Sequence, residues 1–220
     1  MLAPVPSALP TVPLSSAAGP SSAGAASAPF ALIAPVATKL HIYSSQLDVL
    51  GGQQATVAGA LLDDRHRGLA GDVVLLQALG ARGWSTLTRA RTRSSGRFTL
   101  RYVPQGLISE AVRVRFSGDA SARPSRRPAG TLNSYHLAMA SWYGGGGTMA
   151  CGGTLTSSTL GVANKTLPCG TLVTLRYDGR SVQVPVVDRG PYVAGREFDL
   201  TEATKRALGF EGVGEIWSTR

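Results

Sequence analysis

Apolar and polar residues alternate in short runs through residues 39–119. Val57, Gly59 and Leu61 share one parity within Ala55–Leu62. Phe98, Leu100 and Tyr102 alternate with Arg97, Thr99 and Arg101, and Val112, Val114 and Phe116 with Arg113 and Arg115. A period of two is the pattern of a half-buried strand. Asp72–Leu79 and Trp84–Thr88 read as further strands. Gly68–Gly71, Arg82-Gly83 and Ser117-Gly118-Asp119 read as turns between them. Short strands at this spacing predict an all-β fold, with a β-sandwich over 39–119.

A second module is predicted over 137–220. Leu172–Tyr177 and Arg180–Val187 flank Asp178-Gly179, a hairpin signal because a type I′ turn needs positive φ at both central positions. Val173, Leu175 and Tyr177 share one face of the first strand, and Val182, Val184 and Val186 one face of the second. A short helix is expected over Glu202–Leu208, with Leu200, Ala203 and Ala207 on one face and Gly209 at its end. Between the modules, residues 120–136 are mostly polar and read as a linker. Residues 1–38 are rich in Ala, Ser and Pro without apolar periodicity, and read as a disordered tether.

Charge modifies this picture. Residues 1–38 carry no charged side chain, residues 39–127 hold 14 basic and 6 acidic groups, and residues 128–220 hold 8 and 7. The positive field therefore belongs to the first module. It can hold a polyanion such as an anionic wall polymer, or simply solvate the face. No nucleic-acid-binding motif with interleaved aromatics accompanies it. The start of the chain lacks a basic region before its apolar residues, so it does not read as a clean signal peptide. No stretch is long and apolar enough to be expected to span a membrane.

The two cysteines, Cys151 and Cys169, are spaced unlike metal ligands, and no histidine lies between or after them. A disulfide is expected, with two buried free thiols as the alternative. A disulfide implies an oxidising, extracytoplasmic compartment. No metal or cofactor is expected.

Four segments in order carry a family resemblance: Ala140-Ser141-Trp142-Tyr143-Gly144, Leu167-Pro168-Cys169-Gly170-Thr171, Val187-Asp188-Arg189-Gly190-Pro191-Tyr192 and Phe198-Asp199-Leu200-Thr201. Together they resemble the rare lipoprotein A family of septal lytic transglycosylases over roughly residues 138–220. The Trp-Tyr-Gly opening, Ala150-Cys151-Gly152 and Phe-Asp-Leu also resemble expansins. The resemblance implies a six-stranded double-psi β-barrel acting on peptidoglycan glycan strands. It also implies cleavage by one acid that protonates the leaving oxygen and then takes the proton of the sugar's own 6-hydroxyl. The strand pattern of 39–119 in turn resembles bacterial immunoglobulin-like β-sandwich modules.

Asp199 and Asp188 are the candidate catalytic carboxylates. Asp199 matches the expansin aspartate and resembles the acid of membrane-bound lytic transglycosylase A. It also stands three residues before Glu202, which fits a helix N-cap with a capping-box partner. Asp188 follows an apolar strand, where desolvation can raise a carboxyl pKa, but its segment is also a turn sequence. Trp142, Tyr143 and Tyr192 are candidate sugar contacts, with core packing as the alternative for Trp142 and Tyr143. Arg189 is a candidate partner for a substrate carboxylate, or for Asp188. Asn164, Gly153 and Thr156 stand where the family has histidine, glutamate and aspartate. Asn164 can hydrogen-bond a sugar but cannot shuttle a proton. Three functions follow as expectations: a lytic transglycosylase-like enzyme, a non-catalytic expansin-like wall binder, and a two-carboxylate glycoside hydrolase.

Overall fold

Strand alternation becomes two facing sheets in the first half of the chain, in a computed structural model that describes residues 34–220. The strands are β1 (Thr38–Gln46), β2 (Asp48–Leu50), β3 (Ala55–Asp63), β4 (Val73–Gly80), β5 (Gly83–Arg91), β6 (Arg97–Tyr102), β7 (Ile108–Phe116) and β8 (Ser125–Tyr143). One sheet runs β1-β3-β6. The other runs β5-β4-β7-β8, with β2 parallel to β8. The inward positions Val57, Leu61, Leu76, Phe98, Leu100, Val112 and Val114 meet in one buried core. Gly59 is required where β3 crosses close to β1, because a Cβ there would strike the His41 carbonyl and the Phe98 ring.

The expected tether and linker are both revised where they are described. Residues 1–33 lie outside the described residues, but Val36 forms a bridge to Ala122 and β1 begins at Thr38. The segment expected as a linker enters β8 at Ser125, and Ser125–Arg127 pair with Val114–Phe116 of β7. Its polar residues mislead because Arg126, Arg127 and Pro128 are exposed on the strand, while the next large apolar residue, Leu132, is fully buried. β8 continues into the second module without a break, so one strand serves both cores. Asp48 strengthens the junction: Asn133 Nδ2 and Tyr135 Oη donate to it at 2.8 Å each, and Arg176 reaches it at 3.2 Å.

The second module adds β9 (Gly147–Thr148), β10 (Thr154–Leu155), β11 (Val162–Ala163), β12 (Leu172–Tyr177), β13 (Arg180–Asp188), β14 (Phe198–Thr201), α1 (Glu202–Leu208) and β15 (Gly214–Ser218). The order β14-β11-β13-β12-β15-β8 closes on itself through a parallel β14–β8 pairing, a ring of six strands. Closure removes free edges. The ring encloses Val173, Leu175, Val184, Val186, Phe198, Leu200 and Ile216. Asp178 and Gly179 have φ of 44° and 77°, as the hairpin requires. α1 buries Thr204 and Leu208, whereas Ala207, expected inside, is exposed. Thr201, not Asp199, caps the helix, and its side chain accepts from Thr204 N.

Candidate active site

Four strands of the ring place the candidate residues in one row. β11 lies between β13 and β14, and Ala163 pairs with Asp188 on one side and with Asp199 on the other. β8 follows β14 and pairs Ser141 with Asp199. Paired positions project from the same face of a sheet, so the row reads Asp188, Ala163, Asp199, Ser141. Two strand spacings, roughly 9.5 Å, separate the two aspartate backbones.

Asp199 is half-buried and accepts a 2.8 Å hydrogen bond from Ser141 Oγ. Burial raises its pKa above the ordinary carboxyl value, while the Ser141 bond and the Arg196 charge work against that rise. Because Asp199 lies within β14 and Thr201 is the cap, the helix-cap reading and its acidifying effect are overturned.

Asp188 is held differently. Its Oδ1 accepts from the backbone N–H groups of Ala150 and Arg189, both at 2.8 Å. These bonds fix the position of the carboxyl. The backbone continues through a cis Gly190–Pro191 bond.

Tyr143 lies two residues beyond Ser141 on the same face of β8, and its hydroxyl is buried without a hydrogen-bond partner. Burial above all, then the charges of Asp188 and Asp199, push its pKa upward. The phenol stays protonated at neutral pH and its O–H remains an available donor near both carboxylates.

The other candidates divide. Trp142 points away from Tyr143, as strand alternation demands; its ring is 39% exposed and lies 4.0 Å from the Lys205 ammonium. Tyr192 is 82% exposed in the loop after Asp188. Asn164 is buried and its amide is used by the fold: Oδ1 accepts from Thr166 N and Leu167 N, and Nδ2 donates to the Glu197 carbonyl. Arg189 donates to the Asn164 and Leu167 carbonyls and contacts Cys169 Sγ rather than pairing with Asp188. Cys151 and Cys169 form a disulfide that ties these loops together beside Asp188. Ser141 was not legible as a site residue, because a serine in an apolar strand carries no motif of its own. His136, whose Nε2 lies 3.0 Å from Glu197, was not legible either, since the pairing joins segments 61 residues apart.

Residues 136–217 match the family model described as lytic transglycolase. The segment is a rare lipoprotein A-like double-psi β-barrel. A protein of Aquifex aeolicus named probable endolytic peptidoglycan transglycosylase RlpA is 44% identical over 87 residues, covering 37% of this chain and 38% of that one. A Synechocystis protein of the same name is 39% identical over 95 residues, covering 40% and 30%. The Pseudomonas aeruginosa endolytic peptidoglycan transglycosylase RlpA is 33% identical over 119 residues, covering 49% and 35%. The chain thus spans well under half the length of these relatives. Among solved structures, domains 5-6 of the S-layer protein SbsC align with a TM-score of 0.29 and 14% identity, over 81% of this chain and 94% of that one. Three further positions singled out in the sequence make ordinary structural contacts: Asn164 as above, Thr156 bonded to Ser158 and Thr159, and Gly153 in a turn with φ of 79°.

Proposed function

We propose that the barrel is a lytic transglycosylase-type site for peptidoglycan glycan strands, working outside the cytoplasm, with Asp199 as its acid and base. The observation that carries this reading is the half-buried Asp199 carboxyl, raised by burial and set in one row with Asp188. The names of the relatives support the substrate class. Protonated Asp199 donates to the glycosidic oxygen as the bond to the sugar's anomeric carbon breaks. Asp188, held by two backbone donors, supports the positive charge that develops on the ring. The Asp199 carboxylate then accepts the proton of the 6-hydroxyl, whose oxygen closes on the anomeric carbon. Tyr143 orients the sugar through its O–H. The sandwich, which shares β8 with the barrel, acts as a wall-facing module.

The test is digestion of purified peptidoglycan, intact and stripped of stem peptides, with products read by mass. Anhydro-sugar ends from wild type and their loss in Asp199→Asn are expected. Reducing ends would assign a two-carboxylate hydrolase instead.

A second reading, a non-catalytic wall binder, is favoured by one observation: Asn164, Thr156 and Gly153, where the resemblance leads one to expect ionisable groups, carry none, and the Asn164 amide is bonded within the fold. Absence of products with retained wall pull-down would select it.

A further inference from the structure

The outer face of the sheet β5-β4-β7-β8 collects arginines. Leu75 pairs with Arg89 on one side and Arg115 on the other, and Arg115 pairs with Arg126. Arg113 precedes Arg115 by two residues and shares its face. Arg113, Arg115 and Arg126 line a cleft of about 470 Å³ together with Phe116, Pro124 and Ser125. No carboxylate lines it. Among the described residues, none of the ion pairs involves Arg89, Arg113, Arg115 or Arg126. Asp72 and Asp119 line an adjoining hollow with Arg91, which meets the cleft at Phe116.

This arrangement opposes folding. Arg115 and Arg126 stand directly opposite, and like charges in cross-strand pairs are destabilising. Arg113 is nevertheless held in place. Its Nε donates to Gln77 Oε1 at 3.0 Å, Gln77 is bonded in turn to Thr86, and the guanidinium lies 3.9 Å over the Trp84 ring. Burial, and the charges of Arg126 and Arg115, lower the Arg113 pKa. A fixed guanidinium with uncompensated neighbours is prepared for an oxyanion, since arginine binds phosphate oxygens in a fork geometry.

We propose that this cleft binds a linear phosphate-bearing polymer, with phosphate groups held by Arg113, Arg115 and Arg126. Three guanidinium groups around one concavity suit a multiply charged oxyanion better than a single carboxylate. Arg89, two strand spacings or roughly 9.5 Å from Arg115, continues the cationic track and suits a chain of such groups. A lipid surface fits less well: the site is concave, and the one exposed aromatic beside it, Trp84, is capped by Arg113.

The experiment is titration of the full chain with medium-chain inorganic polyphosphate, followed calorimetrically. Comparison variants are Arg115→Ala/Arg126→Ala and a charge-matched pair on exposed loops, Arg65→Ala/Arg82→Ala. Folding is checked by circular dichroism. Loss of about tenfold or more in affinity is expected for the first pair only, with affinity falling steeply as salt rises. Equal losses in both pairs would overturn the site in favour of a diffuse field. Polyglutamate binding as tight as polyphosphate would overturn the phosphate assignment. Binding to phosphatidylglycerol vesicles without binding to polyphosphate would replace the polymer with a membrane.

Discussion

Asp188 and Asp199 flank Ala163 in register, so the two carboxylates of the barrel share one face but not one environment. Asp188 is anchored by two backbone N–H groups. Asp199 has one hydroxyl donor and a pKa raised by burial. Environments that treat two acids differently are how a fold separates a proton donor from a charge stabiliser. The asymmetry comes from the surroundings: β13 ends at Asp188, which takes the N–H of the next residue and that of Ala150 in the facing loop, whereas Asp199 sits inside β14.

A consequence for stability follows from Asp199. Its folded-state pKa lies above the unfolded value, so its stabilising contribution is full below the ordinary carboxyl range and is lost as pH rises through the folded pKa. Asp199→Asn removes the charge and keeps an oxygen for the Ser141 bond. The variant should melt about 1–3 °C above wild type at pH 7, with the gap closing towards pH 3. Calorimetry at both pH values measures this, and a variant equally destabilised at both would contradict it.

Ser141 sets the proton affinity of Asp199. Its hydrogen bond favours the carboxylate, so Ser141→Ala should raise the Asp199 pKa further. If Asp199 enters the reaction protonated, the alkaline limb of the kcat/KM profile moves to higher pH in the variant. A pH profile of anhydro-product release reads this directly. An unmoved limb with reduced activity would mean that Ser141 contacts substrate instead.

Much of this architecture was legible in local sequence. The 178–179 hairpin, the helix 202–208 and the strands carrying Val57, Phe98 and Val114 each rest on a period or turn signal within a few residues. What escaped depends on distant partners. The segment 125–136 looked like a linker because exposed arginines and prolines dominate its first half, and only its pairing with β7 makes it a strand. Asp199 looked like a helix cap because Glu202 follows at the right spacing, but the parallel pairing of β14 with β8 draws Asp199 and Leu200 into the ring and leaves Thr201 at the cap. Tyr143 was legible as an aromatic, but not as a buried hydroxyl that feels the charges of both acids.

The disulfide should matter to both fold and site. Cys151 and Cys169 are 18 residues apart, and closing such a loop contributes about 3 kcal/mol in the chain-entropy picture. The bridge also fixes the loop whose Ala150 N–H holds Asp188. Cys151→Ser/Cys169→Ser should lower the melting temperature by several degrees and reduce activity beyond the unfolded fraction. Denaturation curves and turnover at low temperature separate the two effects.

Gly161 tests how the helix is seated. Its carbonyl accepts from the hydroxyls of Thr201 and Thr204, and its N–H donates to Thr204 Oγ1 at 2.9 Å. A Cβ at this position would strike the Val187 side chain, on the residue before Asp188. Gly161→Ala should therefore cost about 1–3 kcal/mol through overpacking. Gly146 meets nothing within 4 Å of a built Cβ and has no positive φ, so Gly146→Ala should stay within about 0.5 kcal/mol. Because Val187 precedes the acid-bearing end of β13, Gly161→Ala should also lower activity at temperatures where the variant is fully folded. Urea denaturation of both variants, beside peptidoglycan digestion, measures this. Equal stabilities would show that the Val187 side chain can shift to absorb the methyl, and unchanged activity would show that Asp188 does not depend on that packing.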